Sequence, residues 1–588
     1  MTTSDPVVVS VVPDVTGIDR SFDYFVPDDL VPLIGIGSRV RISLHGRRVG
    51  GWVESFNDPD EVSARTGVDV SKLKRIEKSS GLGPDDEVLE LSRWASHRWA
   101  AHRLRPFLVA ASPDTVVHRV PPPRHTKVLA EPVSPAATKL LADGGGVLRL
   151  PPTADQMPTI LAAARRGPTL VVCANVDAAR VLATRLRRTG VSVAFVPDEW
   201  PAARGGVDVV IGARTAAFAP CPDMAAAVVL DEHEETLQEE RVPTWHARDV
   251  VTERASRAGA PLLLVSPCPS VVGLQGRRLV APTREREREA WPRVDVVDRG
   301  DEEPWKRSLL SGDLITHLRA NGLRVACVLN TKGQARLLAC RGCGALVRCS
   351  GCDLAMVEAV ENRLDCGGCG ASRDRLCASC GSTALARLKP GVARLRDEIE
   401  MAAGRDVLAV TGVDRETVDD SAADVFVGTE AVLHRVRRLD VVAFLDFDAE
   451  LLAPRYRAAE QALALVARAA RAVGPRRGGG RVLLQTTLPD HDVIRALVAA
   501  DPAIVSDAEI SRRRMLRLPP ESALAVVEGD GADSFAGGLA GRAGLDVVPH
   551  RDRWLVRAPA PDVLADALAA NPKPAGSKLR IEVDPPRI

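Results

Sequence analysis

The chain carries almost no net charge: 78 Lys and Arg against 77 Asp and Glu leave +1 over 588 residues. That balance excludes a globally basic nucleic-acid binder, so a DNA partner has to be held by local basic faces. No apolar run approaches the roughly 20 residues that span a bilayer, so no membrane partner is expected. The N-terminus, MTTSDPVVVSVVPD, has no basic stretch leading into an apolar one. A soluble, cytoplasmic protein is therefore expected, and a disulfide framework is disfavoured. Tyrosine is scarce, with two in the chain, while Ala, Arg, Gly, Val and Asp abound, a bias that fits a GC-rich genome.

Cysteine, by contrast, is concentrated. Eight of twelve fall between Cys340 and Cys380 as four C-x-x-C pairs: Cys340 and Cys343, Cys349 and Cys352, Cys366 and Cys369, Cys377 and Cys380. Each such turn brings two thiolates to one ion, and two turns complete the tetrahedral four-sulfur shell that suits structural zinc. Four pairs predict two Zn2+ per chain, holding a subdomain whose core is too small to fold alone. A redox C-x-x-C would occur once beside a strand–helix unit, not four times in tandem. Cys173, Cys221, Cys268 and Cys327 stand singly in apolar surroundings and are expected to be buried packing residues.

Length suggests about four domains. Residues 5–80 alternate apolar and polar in short runs (VVVSVVPDV, SFDYFV, SRVRISL, RRVGGWVESF), the pattern of a small β-rich domain. Residues 85–108 turn helical, with Val88, Leu89, Leu91, Trp94, Ala95 and Trp99 at helix spacings. Two sets of apolar strands separated by helices follow. The first is TLVVCAN, VSVAFVP, VDVVIGA, AAAVVLDE and APLLLVSP; the second is LRVACVLN, DVLAVTG, ADVFVGT, LDVVAFLD and GRVLLQT. Strands apolar on both faces predict parallel sheets covered by helices on each side. The cysteine segment interrupts the second set. RERERE at 284–289 reads as a solvated helix or linker rather than a phosphate contact.

The segment Val228–Val251, VVLDEHEETLQEERVPTWHARDVV, resembles the Walker B region of the PriA family of replication-restart helicases. There an acidic DEEH-type box precedes an aromatic residue and His-Ala-Arg-Asp; here Asp231, Glu232, Trp245, His246, Ala247, Arg248 and Asp249 match. VIGARTAAFAP, LNTKGQARLLACRGCG, FVGTEAVLHRV, PRYRAAEQ, LLQTTLPDHDVI and RIEVDPPRI resemble further family segments in the same order. SFDYFVPDDL with SRVRISLHG resembles the family's 3′-end-binding domain.

The resemblance implies a multidomain α/β fold. Its parts are an N-terminal 3′-end-binding domain with a helix (1–110), a linker or reduced winged-helix-like region (111–150), and a first RecA-like helicase lobe (151–295). A second lobe (296–338 and 383–503) carries an inserted double zinc-ribbon module (339–382), and an α+β C-terminal domain (504–588) follows. The family's interleaved pairing implies one zinc on Cys340, Cys343, Cys377 and Cys380, and the second on Cys349, Cys352, Cys366 and Cys369. Implied partners are branched or fork DNA with a 3′ end, single-strand DNA-binding protein, and other primosome or helicase-loading components. A monomer associated with the nucleoid is expected.

The motor motifs are degraded. A phosphate-gripping loop needs G-x-x-x-x-G-K-[ST], whose backbone curls around phosphates while Lys reaches the β/γ oxygens. The corresponding stretch reads GGGVLRLPPTADQMPTILAAARRG, and Lys-Gly occurs only at Lys332-Gly333, in the second half. Thr153 supplies a hydroxyl there without a lysine beside it, and Pro151 and Pro152 stiffen the loop. The acidic box transposes to Asp231-Glu232-His233-Glu234, the SAT-type motif to Ser266-Pro267-Cys268. The family's QVAGRAGR survives as LVARAAR, with Arg468 and Arg471 each one position away from the expected finger. One position is about 100° of helix, enough to point a guanidinium elsewhere. No catalytic residue is expected; Asp231 and Glu232 are read as vestigial, exposed and idle.

For DNA, the resemblance implies contacts from Phe22, Asp23 and Tyr24, with Gly46 and Lys74. An aromatic face stacks on a terminal base, a carboxylate accepts from the 3′-hydroxyl, and lysine neutralises phosphate. Without the resemblance, Phe22 and Tyr24 read as strand residues, one of them packed in a small core. Arg39, Arg41, Arg47 and Arg48 either track a DNA backbone or form a solvated strand face. Trp245 is read as packing. The favoured function is fork binding and helicase reloading without ATPase activity. The alternatives are an active 3′–5′ helicase with a divergent nucleotide site, and a zinc-dependent interaction scaffold that does not engage DNA.

Overall fold

The structure, a computed structural model, describes residues 6–587 except 127–131, 301–307, 330–337, 344, 353, 359–362, 367–368, 388–391, 411–420, 422 and 575. Lys332-Gly333 lies outside the described residues.

The N-terminal strands form an antiparallel five-stranded sheet in the order Phe22–Phe25, Val8–Pro13, Arg47–Asn57, Arg39–Leu44, Lys78–Ser79. Its small core gathers Val9, Val11, Tyr24, Val40, Ile42 and Val53, the inward half of each alternating run. The helix Asp86–Arg98 buries Val88, Leu89, Leu91 and Ala95 at the predicted spacings. Asp85 caps it, accepting from Val88 N at 3.0 Å.

Two parallel sheets follow, as the doubly apolar strands predict. The first runs Leu279–Val280, Gly145–Arg149, Leu262–Ser266, Ala226–Leu230, Thr169–Val172, Val209–Gly212, Val193–Val196. The second runs Arg293–Asp298, Arg481–Thr486, Val441–Phe444, Val325–Val328, Val425–Gly428, Val407–Val410. Helix and sheet faces close separate apolar cores in each lobe.

Some segments differ from expectation. Within 111–150, expected to be a linker or reduced winged helix, the helix Pro135–Ala142 and strand Gly145–Arg149 are built into the first lobe. Glycine concealed that strand. A Cβ on Gly145 would lie 2.4 Å from Leu262 O and one on Gly146 2.5 Å from Arg278 O, so only glycine fits between those backbones. RERERE is helical (Arg284–Ala290) but not wholly solvated: Glu287 is buried and pairs with Arg149 at 2.6 Å.

The C-terminal domain is an antiparallel sheet, Asp546–His550, Arg553–Ala558, Ala523–Gly529, Leu579–Val583, with helices Ala532–Leu539 and Pro561–Ala569. Its core is continuous with that of the first lobe and of helix Asp86–Arg98. The cysteine segment leaves the second sheet after Val325–Val328 and returns before helix Val392–Ala403. It contains two small antiparallel sheets. No helix among the described residues is long and apolar enough to cross a membrane.

Candidate nucleotide cleft, metal centre and DNA-end face

In parallel α/β sheets, ligands bind beyond the carboxyl ends of the strands. At that edge of the first lobe lie three segments: 150–156 after Gly145–Arg149, Asp231 after Ala226–Leu230, and Pro267-Cys268 after Leu262–Ser266. The strands leading to 150–156 and to Asp231 are separated by Leu262–Ser266. Facing them is the second lobe's helix Ala458–Val473.

Protein side chains fill this edge. Thr153 Oγ1 donates to Ala290 O at 2.8 Å, and Asp155 pairs with Arg185. Asp231 adopts a left-handed backbone (φ 54°), which Asp tolerates. It is 7% exposed. Arg471 grips both of its carboxylate oxygens, with Nη1 at 2.9 Å from Oδ2, while Arg471 Nε donates to Pro152 O at 3.1 Å. Gln156 Nε2 lies 3.3 Å from both Asp231 oxygens. Burial alone would raise this carboxyl; the charge of and hydrogen bond from Arg471 hold it below the usual range.

Glu232 is fully buried. It accepts from Ser270 N and Ser270 Oγ, both at 2.7 Å, and from Arg248 Nη1 at 3.3 Å. Gly273 makes room for it, since a Cβ there would stand 2.7 Å from Glu232 Oε2. Arg248 also holds Asp249 at 3.0 Å. Glu234 receives Arg468 Nε at 3.0 Å, and His233 Nδ1 lies 2.8 Å from Ser266 Oγ.

One expectation is therefore corrected. Asp231 and Glu232 are not exposed and idle; they are buried and saturated with donors. From their shifted positions the long stems of Arg468 and Arg471 reach the carboxylates of Glu234 and Asp231.

Trp245 is buried as packing. Its ring meets Phe218 edge-on at 5.1 Å, and Arg214 lies over it at 5.7 Å. The C-terminal strand pins the same loop: Thr244 Oγ1 donates to Val583 O at 2.7 Å, and Gln238 Nε2 to Asp584 O at 2.6 Å.

The eight paired cysteines gather into two groups, Cys340, Cys343, Cys377 and Cys380, and Cys349, Cys352, Cys366 and Cys369, each with its sulfurs within 4.8 Å of one another. These are the interleaved sets. Sulfur separations of 3.5 Å (Cys340–Cys380, Cys343–Cys377), 3.4 Å (Cys349–Cys369) and 3.3 Å (Cys352–Cys366) rule out disulfides, whose S–S length is about 2.0 Å. They approach the roughly 3.8 Å edge of a tetrahedron with metal–sulfur bonds near 2.3 Å. Against the effect of burial, backbone N–H groups draw the Cys340 and Cys349 thiols below the ordinary range, whereas Cys352, Cys369 and Cys380 of the same groups are pushed up. The donor set fits a thiophilic ion. Cys173, Cys221, Cys268 and Cys327 are buried, as expected.

In the N-terminal sheet, strand alternation divides the expected DNA residues. Phe22 and Tyr24 turn to the core face, Asp23 to the other. Tyr24 is buried, its hydroxyl 3.2 Å from Ser43 O. Phe22 is half-buried, with Arg20 over its ring at 4.9 Å. Asp23 pairs across the strands with Ser10, accepting from Ser10 Oγ (2.7 Å), Asn57 Nδ2 (2.9 Å) and Arg65 Nη2 (2.8 Å).

Gly46 (φ 76°) completes the tight His45-Gly46 turn between Arg39–Leu44 and Arg47–Asn57. Lys74 is exposed, and its carbonyl accepts from Phe25 N at 3.0 Å. Arg41, Arg47 and Arg48 are exposed on the same sheet, whereas Arg39 donates to Pro113 O at 2.9 Å.

Two parallel α/β lobes in contact, an insertion with paired four-cysteine clusters in the second and a β-rich N-terminal domain define a multidomain α/β protein. Residues 7–111 match the PriA family's "3'DNA-binding domain (3'BD)". The wider chain is similar to PriA proteins: 27% identical over 577 residues to the probable replication restart protein PriA of Mycobacterium bovis, covering 87% of this chain and 85% of that one. To replication restart protein PriA of Bacillus subtilis it is 27% identical over 370 residues, 58% of this chain and 45% of that one. The aligned part thus spans less than half of the Bacillus protein. The PriA resemblance is borne out. A DEAD box protein from Methanococcus jannaschii aligns with 74% of this chain and 96% of its own at 10% identity and a TM-score of 0.30.

Proposed function

We propose that the chain is a replication-restart factor that binds stalled or branched forks through a 3′ DNA end and helps reload the replicative helicase without ATPase or helicase activity. One observation carries the loss of activity: the acids that would poise Mg2+ and water are already saturated by Arg471, Gln156, Ser270 and Arg248. Phosphoryl transfer depends on positioning and charge stabilisation by a phosphate cradle, metal and arginine finger. Here the arginine neutralises the acid instead, and no Gly-Lys-Ser/Thr loop stands opposite.

The two four-cysteine groups would each hold Zn2+, which cross-links the module and performs no chemistry at a closed four-sulfur site. That module would present a surface to single-strand DNA-binding protein and other primosome or helicase-loading components. In the N-terminal domain, Phe22 would stack on the terminal base. Asp23 would accept from the 3′-hydroxyl in place of Arg65, and Lys74 with Arg41, Arg47 and Arg48 would follow the backbone. A monomer in the cytoplasm, associated with the nucleoid, fits these roles.

A mobility shift on a fork with a 3′ end, together with fork-stimulated phosphate release, tests the reading. Retardation without phosphate release is expected. Phosphate release would favour an active divergent helicase; no retardation at modest salt would leave a zinc scaffold that does not engage DNA.

A further inference from the structure

We infer that the helix Ala458–Val473 is an internal strut that holds the two lobes closed without nucleotide. Four of its side chains replace the cross-link that a bound triphosphate and metal would make. The inference rests on the proposed loss of ATPase activity.

The sequence places these residues on one stripe. At 100° per residue, positions 460, 461, 468 and 471 fall within an arc of about 100° on the helix. Each one meets the first lobe. Glu460 Oε1 accepts from Val271 N at 2.8 Å, and Gln461 hydrogen-bonds Glu235. Arg468 bridges Glu234 of the first lobe (3.0 Å) and Glu430 of the second (2.7 Å). Arg471 clamps Asp231 and the Pro152 carbonyl. The strut is itself braced, because Arg513 of the later helix Ala503–Leu516 pairs with Glu460. On the flank, Arg284 donates to Ala499 O (2.9 Å) and Ala500 O (2.7 Å).

In a nucleotide-driven motor, opposite charges on the two lobes meet through the phosphates and the metal, so hydrolysis releases the contact. Here guanidinium and carboxylate meet directly. No contact in this set depends on a nucleotide, so closure is not tied to a hydrolysis cycle. Burial disfavours the charged forms of Arg468 and Arg471, but their carboxylate partners hold them firmly protonated. The consequence for function is a rigid platform. The N-terminal domain and the cysteine module keep a fixed spacing instead of cycling with a motor.

The test is single-molecule energy transfer on the full chain. Dyes are clicked to non-natural amino acids at Val181 and Met401, which are 58% and 77% exposed on opposite lobes; the metal-binding cysteines are left untouched. The wild type is expected to show one transfer population, unchanged by ATP with Mg2+. The pair Arg468→Ala with Arg471→Ala should add a second population, while Arg471→Lys, which keeps the charge but not the two-pronged grip, should stay closed through Arg468, Glu460 and Gln461. Exchange between two populations in the nucleotide-free wild type would overturn the strut and leave the ATPase-free reading standing. So would an alanine pair as closed as the wild type. An open wild type that ATP closes would overturn the strut, and phosphate release accompanying that closure would overturn the ATPase-free reading as well.

Discussion

Replacing Glu232 with Gln separates a structural acid from a catalytic one. The carboxylate is fully buried, and each contact donates to it: Ser270 N, Ser270 Oγ and Arg248 Nη1. Gln keeps the shape but brings an NH2 group that must face Ser270 N or Arg248 Nη1, both donors. Removing one member of a buried ion pair costs about 3–5 kcal/mol. Asp249 still neutralises Arg248 at 3.0 Å, so the low end applies, about 3 kcal/mol. For a lobe of this size, each kcal/mol lowers the midpoint by about 2–4 °C, giving a loss of roughly 6–12 °C. Thermal unfolding followed by a probe in the first lobe reads this directly. An unchanged midpoint would refute the reasoning, and an unchanged midpoint with loss of a measurable turnover would make Glu232 a catalytic base.

Atomic emission on the purified chain should give two zinc ions, and Cys340→Ser should give one while the remaining domains keep their unfolding transitions; a wild-type value near one would contradict the paired sites. Phe22→Ala should weaken binding to a fork with a free 3′ end by about 5- to 150-fold, the range of one base–aromatic stack. Binding to the same fork with a blocked 3′ end should change little; equal losses on both would place Phe22 outside the end-binding face. Asp231 faces Arg471, His233 and Gln156, and its folded pKa is depressed. Its contribution to stability is therefore present above the unfolded value near 4 and is lost as pH falls through the folded value. The stability gap between wild type and Asp231→Asn should be flat from pH 5 to 8 and shrink below about pH 4; a gap that widens on acidification would contradict the Arg471 pairing.

The cysteine module was legible because four C-x-x-C pairs leave few chemistries open, although spacing alone does not choose between pairings. Central strands were legible because a parallel strand buried on both faces is apolar throughout, as in AAAVVLDE and LDVVAFLD. Gly145–Arg149 and Arg293–Asp298 were not: glycine supplies the first with close backbone approach, and the second is an edge strand carrying Arg and Asp. The expected 3′-end residues could be named but not oriented, because strand alternation sends Tyr24 inward and Asp23 outward. Glu232 looked exposed because the residues that cover it, Arg248 and Ser270-Gly273, lie 16 to 41 positions away in sequence. Arg468 and Arg471 were recognisable as finger remnants, but Glu234 and Asp231, which they meet, lie in the other lobe, more than 230 residues distant.

The central claim is that the cleft between the lobes is occupied by the protein's own charges and turns over no nucleotide. Phosphate release from ATP with Mg2+, measured on the wild type with and without a 3′-ended fork, tests it most directly. The rate should equal that of buffer in both cases. Fork-stimulated release that Asp231→Asn abolishes would contradict it.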